Sequence, residues 1–192
     1  FTAAGCLSAL TYGSRNNAAN ATRGHYVGVT ALPFYEFNYE NTAARFTGEA
    51  RSYLPIGGGD RLVIAGRAKI GTVVGPSISE LPPDILFFAG GGGSVRGYPY
   101  RSIGVGGKSL VEGSVELRGR FTETIGAVAF LDAGLVGADS TPDFDQEAKL
   151  GAGVGLRYFT SLGPIRLDVA VPLEKSPDDP SVAFYVGIGQ AF

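Results

Sequence analysis

The chain has 192 residues and a formal net charge of −2, and its lysines and arginines occur singly rather than in runs. This charge pattern lacks the basic surface of nucleic-acid-binding proteins, so no nucleic-acid partner is expected. The 30 glycines, 12 phenylalanines and 9 tyrosines, with no methionine or tryptophan, are typical of short strands joined by turns. A single Cys6 and a single His25 exclude an internal disulfide and a Cys/His metal site, so we expect no metal and no cofactor.

Membrane-spanning helices are not expected either. No stretch approaches the about 18 consecutive apolar residues of a spanning helix, and the first residues lack the basic and apolar regions of a signal peptide. Membrane strands escape this test because their apolar residues alternate with polar ones. The chain opens at Phe1 in strand-like sequence without an initiator methionine, which we interpret as the cut end of a longer product.

Four strands are predicted before residue 72. A weak alternation marks residues 1–12, and a second strand follows at residues 25–37 after a turn rich in asparagine. The alternation is clean in residues 44–55, where small and apolar side chains oppose charged and polar ones. Residues 62–70 repeat the pattern after a Gly-Gly-Gly-Asp turn, so the third and fourth strands are predicted to form a hairpin.

A connection of unusual length follows, from Thr72 to Gly107. At residues 87–101 it reads FFAGGGGSVRGYPYR, with four glycines that we interpret as a hinge and one arginine, Arg96, among aromatic side chains. Such a loop would be poorly solvated, so we expect it to fold back into a cavity where Arg96 meets an acceptor. The alternative is an ordinary exposed loop whose arginine faces water.

Five further strands are predicted after this connection, at residues 111–121, 125–133, 150–158, 165–171 and 181–192. In the last of them the apolar set consists of Phe184, Val186, Ile188 and Phe192. Together with the first four, these segments make about nine strands. We interpret the last one as a recognition and closing strand, because an unpaired edge must find a partner.

Alternation alone does not separate a soluble β-sandwich, with its apolar set inside, from a membrane barrel, whose apolar set faces lipid. The predicted strands have about 9 to 14 residues, enough for a tilted strand to cross a bilayer, and their apolar sets are simple and aliphatic. Both features favour a membrane barrel. The odd-numbered residues from Ile165 to Val171 are then expected to face lipid, and Arg166 and Asp168 to face the lumen.

Three motifs resemble those of the outer-membrane assembly-factor superfamily, which includes BamA, TamA and the two-partner secretion transporters. Residues 87–98 resemble its loop signature, a Phe-aromatic-Ala-Gly-Gly run followed by Val95, Arg96, Gly97 and Tyr98. Residues 113–116 resemble its Gly-Ser-x-Glu pattern, and residues 130–134 its Phe-x-Asp-x-Gly pattern. The stretches 151–158 and 161–168, with the final Phe192, are most similar to the TamA branch, within the bacterial surface antigen group.

The resemblance implies an all-β fold, an antiparallel transmembrane β-barrel of about sixteen strands, of which about nine are present here. Residues 1–192 would be the C-terminal portion of the barrel, with residues 72–107 as a long loop folded into its lumen. In this superfamily two acidic residues hold the loop arginine, and they correspond here to Glu116 and Asp132. The implied location is the bacterial outer membrane, in contact with its lipid.

The function implied by the resemblance is not enzymatic. It is that of a TamA-like subunit of a translocation and assembly module, which inserts or secretes client proteins such as autotransporters. Its partners would be client outer-membrane proteins and, through domains missing from the N-terminal side, a TamB-like periplasm-spanning protein. Four alternatives stay open: a two-partner secretion transporter, a BamA-type insertase, the same barrel fused to a patatin-like phospholipase, and a soluble lipid-binding β-sandwich.

Two other features carry no functional weight. The GVGGKS stretch at residues 104–109 ends like a phosphate-binding loop, but Ser102 stands where the first glycine is required and no helix pattern follows. The Asp178-Asp179 pair is interpreted as a solvated turn.

Overall fold

Strands make up nearly all of the regular structure in the computed structural model, which describes residues 1–177 and 179–192. Asp178, half of the pair interpreted as a solvated turn, lies outside the described residues. In the described part of the chain, no helix is long and apolar enough to cross a membrane. The strands are β1 Ala3–Gly5, β2 Ser8–Gly13, β3 Gly24–Glu36, β4 Asn41–Pro55, β5 Leu62–Val74, β6 Phe87–Ala89, β7 Ile103–Gly107, β8 Ser109–Arg120, β9 Ile125–Gly137, β10 Lys149–Thr160, β11 Gly163–Pro172 and β12 Ala183–Ile188, with one 3₁₀ turn at Ile78–Glu80.

Ten of the strands form one antiparallel sheet. Its order is β1/β2, β3, β4, β5, β8, β9, β10, β11 and β12, so neighbours in the sheet are also neighbours along the chain, except where β5 pairs with β8. The connection between those two strands contributes β6 and β7, which pair as a separate two-stranded sheet. Among the described residues β12 and β1/β2 do not pair with each other, so the sheet has two open edges.

The strand at the first edge of the sheet is interrupted opposite Pro33, and β1 and β2 are its two parts. β1 and β2 pair with β3 in a single register, and between them the Cys6 N–H donates to the Pro33 carbonyl at 3.1 Å. Proline has no N–H with which to return the second bond, so the ladder breaks there. Counting β1 and β2 as one, the ten strands occupy nine positions, which confirms the predicted count.

The two faces of the sheet differ as predicted. On β11 the side chains of Ile165, Leu167 and Val171 are 44, 44 and 39% exposed on the outer face, whereas Asp168 on the inner face is completely buried. The outer face is therefore apolar and uncovered, as a lipid-facing surface is. A sandwich requires a second sheet that covers the apolar face of the first, but the second sheet in the described part of the chain is only the short β6–β7 pair, and it lies on the opposite, inner face. The soluble β-sandwich alternative is therefore wrong.

The connection between β5 and β8 packs against the inner face. We call residues 75–108 the lumen loop, and the inner side of the sheet the lumen. Leu81, Phe87 and Tyr98 of the loop are buried in one hydrophobic cluster with Phe34 of β3. The 3₁₀ turn and the β6–β7 hairpin give regular structure to a segment that the sequence predicted as an irregular connection.

The connections between strands differ in length at the two ends of the sheet. Short turns join β8 to β9 and β10 to β11, while the lumen loop and the connections β9–β10 and β11–β12 lie at the opposite end and are longer. Outer-membrane barrels have short turns on the periplasmic side and long loops on the extracellular side. The lumen loop lies at the end of the sheet that carries the longer connections on either side of β10, the end that is extracellular in such barrels.

Candidate functional site in the lumen

Arg96 lies at the centre of the contacts between the lumen loop and the sheet, and it is 1% exposed. Its backbone N–H and its Nε donate to Asp132 Oδ2 at 3.1 and 2.7 Å, and its Nη2 donates to Asp132 Oδ1 at 3.0 Å. Nη2 also lies 2.7 Å from Glu116 Oε1, as an ion pair without hydrogen-bond alignment. The structure thus places Arg96 against both Glu116 of β8 and Asp132 of β9.

A third carboxylate reaches the same guanidinium. Asp168 of β11 accepts from Arg96 Nη1 at 3.2 Å, and its other oxygen accepts from Arg157 Nη1. Alternation in the sequence placed Asp168 in the lumen but gave no sign that it meets Arg96. The available signal was the GAGVG run at residues 151–155, which leaves the inner face of β10 without side chains between the acids of β9 and β11.

Glycines of β10 provide the space for this cluster. A Cβ added at Gly151 would overlap the backbone carbonyl oxygen of Arg96, and one at Gly155 would overlap the carboxylate of Asp168. A larger residue at either position would therefore displace the loop or the acid. The glycines are needed here for close approach and not for an unusual backbone angle.

The ring of Phe130 supports the guanidinium from one side. Arg96 Cζ lies 3.4 Å from the centroid of this ring, and a planar guanidinium can stack on a ring while its edges contact carboxylates. Burial alone would lower the pKa of Arg96. The hydrogen bonds to Asp132 and the charges of Glu116, Asp132 and Asp168 outweigh burial and raise the pKa above its ordinary value. Arg96 therefore stays positively charged in the lumen.

The other residues of the VRGY motif, Val95 to Tyr98, fix the loop backbone. Val95 is completely buried, and Gly97 has a φ of +104°. Tyr98 is 1% exposed, and its hydroxyl lies 3.1 Å from the Leu150 carbonyl and 3.0 Å from the Glu174 carbonyl, to one of which it donates at a time. The motif is thus attached to the sheet through backbone and side chain on both sides of its arginine.

The four glycines at residues 90–93 form a turn that arginines of the sheet hold. The Gly93 carbonyl accepts from Arg67 Nη1 at 2.7 Å, and the Gly92 carbonyl accepts from Arg166 Nη2 at 3.1 Å. Arg67 comes from β5 and Arg166 from β11, so two distant strands hold the turn. The carbonyls of Gly92 and Gly93 thus act as acceptors for arginine side chains of the sheet.

In the C-terminal segment, Phe184, Val186 and Ile188 of β12 are 71, 76 and 75% exposed on the outer face. Phe192, which the alternation assigned to the same set, is 9% exposed and lies in the lumen. The assignment of Phe192 is wrong because β12 ends at Ile188 and Gly189, with a φ of +88°, redirects the chain.

Phe192 occupies a small apolar cluster together with Tyr53, Val63 and Ala65. Its ring centroid lies 5.0 Å from Arg118 Cζ, and its carbonyl accepts from Arg118 Nη2 at 3.1 Å. Arg118 also donates to Glu116 at 2.7 Å, so this cluster is connected to the Arg96 site through one carboxylate.

The chemistry available at the site is charge pairing and hydrogen bonding. In the lumen, arginines from β8, β10, β11 and the loop are interleaved with the three carboxylates around Arg96. Within the described residues, no group of three or more histidine, cysteine or acidic side chains is placed to hold a metal ion. The three carboxylates attach the loop to β8, β9 and β11.

Comparison with known proteins shows the family to which the chain belongs. Residues 5–192 match the Omp85 superfamily domain. The chain belongs to the Omp85 superfamily. It is 32% identical over 145 residues to the chloroplastic outer envelope protein 80 of Arabidopsis thaliana, which covers 66% of this chain and 19% of that protein.

Two further relatives are described as the outer membrane protein assembly factor BamA. The protein of Neisseria meningitidis serogroup B is 26% identical over 215 residues, covering 89% of this chain and 26% of its own length. The protein of Nitratidesulfovibrio vulgaris is 29% identical over 145 residues, covering 68% of this chain and 18% of its own. This Omp85 chain thus spans about a fifth to a quarter of the curated relatives it matches.

The fold agrees with the family. The crystal structure of BamA from Haemophilus ducreyi lacking POTRA domains 1-3 superposes with a TM-score of 0.76 at 22% identity, covering 92% of this chain and 40% of that one. At this identity the likeness concerns the fold alone. The Omp85 chain therefore belongs to the outer-membrane proteins of the superfamily that includes BamA. Its antiparallel sheet has the barrel-type fold.

Proposed function

We propose that this chain is the loop-bearing part of an outer-membrane assembly factor that inserts client outer-membrane proteins into the bilayer. The observation that carries the proposal is the Arg96 site, where three buried carboxylates from β8, β9 and β11 hold a loop in the lumen. This attachment fixes several strands relative to one another close to an edge of the sheet. In this proposal the task of Arg96 is to hold the shape of the barrel wall during insertion.

The open edges also support the proposal. β12 pairs with β11 on one side, and β1/β2 pair with β3, while their other sides carry no partner in the described part of the chain. Unpaired backbone groups are costly in hydrocarbon, so each edge must be completed by another strand. We propose that β12 borders the seam of the barrel and that client strands pair at this seam before entering the membrane.

We further propose that residues 1–192 are the C-terminal portion of a barrel of about sixteen strands. The support is the share of the relatives that the chain spans, between 18 and 26%, together with its two open edges. N-terminal domains of the whole protein would contact a periplasmic partner in this arrangement.

Within the superfamily we propose a TamA-like role, with autotransporter-type clients and a TamB-like partner. Its support is the sequence GAGVGLRY at residues 151–158 and SLGPIRLD at 161–168, which supply the glycines and Asp168 of the site. A BamA-type insertase is the second candidate, and the similarity to two BamA proteins favours it. Rescue of a strain that lacks TamA would support the first role, and rescue of a strain depleted of BamA would support the second.

Insertion is tested with the intact protein in lipid vesicles. An unfolded outer-membrane client, kept soluble by a periplasmic chaperone, should reach its folded form faster in these vesicles than in empty ones. Arg96→Ala should remove most of the acceleration, whereas Asp84→Ala, an exposed position in the same loop, should preserve it. Equal folding rates in empty and loaded vesicles would contradict the proposal.

A further inference from the structure

The hydroxyl of Tyr185, on β12, makes two hydrogen bonds to the backbone of the lumen loop. It accepts from the Gly97 N–H at 3.0 Å and donates to the Tyr98 carbonyl at 2.9 Å. The ring lies against the glycine turn, where a Cβ added at Gly92 would come within 2.9 Å of it. One side chain of β12 therefore contacts both the glycine turn and the VRGY motif.

The sheet register places this side chain beside the Arg96 site. Tyr185 lies directly opposite Asp168 of β11. Asp168 binds the side chain of Arg96, and Tyr185 binds the backbone of the two residues that follow it. One pair of facing residues in two neighbouring strands thus holds the motif by side chain and by backbone.

The two strands are not equally fixed. β11 is paired on both sides, by β10 and β12, whereas β12 is paired on one side only among the described residues. Edge strands with few hydrogen-bonded neighbours are where local opening costs least. A displacement at the seam would therefore move Tyr185 more than Asp168.

We propose that Tyr185 is a positioning residue that couples the state of the edge strand to the position of the lumen loop. When β12 shifts to pair with another strand, the hydroxyl moves relative to Gly97 and Tyr98, and the loop follows or loses both hydrogen bonds. Coupling of this kind is reciprocal, so the held loop also stabilises β12 against detachment. The inference rests on the proposed function, since an incoming strand is what would load the edge.

The positioning role is tested without any client by Tyr185→Phe, which keeps the ring and removes the hydroxyl. Hydrogen exchange of the Gly97 amide in the intact protein should become about tenfold faster, because its acceptor is lost. Tyr158→Phe is the matched control, since Tyr158 is 55% exposed on the outer face of β10 and should leave this rate unchanged. An unchanged Gly97 rate in Tyr185→Phe would overturn the proposal.

The coupling itself is tested by loading the edge. Two cysteines that carry spin labels replace Tyr100 in the loop, which is 80% exposed, and Leu156 on β10, which is 60% exposed. The background is Cys6→Ser, because Cys6 is a free exposed cysteine that would also be labelled. The probe is a synthetic peptide that copies residues 181–192. We expect peptide binding to shift the distance between the labels in the protein that carries Tyr185, and to leave it unshifted in Tyr185→Phe.

The outcomes separate the coupling from the proposed function. Peptide binding with a loop shift that depends on Tyr185 supports the coupling. Binding at β12, located by cross-linking, without a shift, or with the same shift in both proteins, overturns the coupling and leaves the proposed function intact. If the peptide does not bind, pairing at this edge is contradicted, and the Gly97 exchange rate alone decides whether Tyr185 positions the loop.

Discussion

Two clusters in the lumen bury arginine against aromatic rings, but they are assembled in opposite ways. At the first, the arginine comes from the loop and meets three carboxylates of the sheet, with the Phe130 ring beneath it. At the second, the aromatic residue Phe192 comes from the segment after β12, and it meets Arg67 and Arg118 at 5.9 and 5.0 Å from its ring centroid. Ion pairs dominate the first cluster, and apolar packing dominates the second.

The difference determines what each cluster can tolerate. Buried carboxylates that lose their cation remain as uncompensated charges, and this is among the most destabilising changes in a protein. A buried ring that is replaced by a smaller apolar group leaves a less well filled space but no orphaned charge. Glu116 belongs to both clusters, because one oxygen lies 2.7 Å from Arg96 and the other 2.7 Å from Arg118. Substitutions in the first cluster should therefore destabilise the second cluster more than substitutions in the second cluster destabilise the first.

The largest effect is expected for Arg96→Ala. Removing the guanidinium leaves the buried Asp132 without a cation among the described residues and takes one of their partners from Glu116 and Asp168, so we expect a loss of about 3–5 kcal/mol in the free energy of unfolding. Arg96→Lys should be nearly as damaging, because an ammonium cannot span Asp132 and Asp168 as a planar fork does. Urea unfolding of the purified protein in lipid measures both. A lysine variant within about 0.5 kcal/mol of the original would show that charge alone, without geometry, holds the loop.

An arginine introduced on the outer face tests the opposite case, a charge that has no carboxylate partner. Val169→Arg, near the middle of β11, exposes an unpaired charge to hydrocarbon and should cost about 2–4 kcal/mol. Leu173→Arg, just beyond the end of β11 at a position that is 50% exposed, is the matched control and should cost about 0–1 kcal/mol, because it lies near the interface. Equal costs at the two depths would contradict the lipid-facing assignment of the outer surface.

A glycine substitution tests whether the first cluster depends on close approach. Gly151→Ala should displace the Arg96 carbonyl and cost about 1–3 kcal/mol, the usual range for overpacking. Gly113→Ala is the control, since it faces outward and its added Cβ would come no nearer than 4.0 Å to the Arg67 carbonyl oxygen. Urea unfolding again measures the change in the free energy of unfolding. A stabilising effect at both positions would show that the loop can move away from an added Cβ without cost.

Alternation predicted the fold because each strand shows a period of two within its own sequence. Arg166 and Asp168 were assigned to the lumen on this ground, and β11 occurs where a strand was expected. The contact between Asp168 and Arg96 could not be predicted in the same way, because it depends on the register of three strands and not on any local pattern. The error at Phe192 has a local cause: alternation was extended past Gly189, where a positive φ ends the strand phase.

The smallest effect is expected for Phe192→Leu, which probes the second cluster without opening a large space. Leucine keeps most of the apolar contact with Tyr53 and Val63 but offers no ring face to the two arginines, so the loss should be about 0.5–1 kcal/mol. Phe184→Leu, 71% exposed on the outer face, should change the unfolding midpoint even less. If Phe192→Leu instead cost as much as Arg96→Lys, the second cluster would depend on arginine geometry as the first does, because loss of the ring alone does not strand a charge.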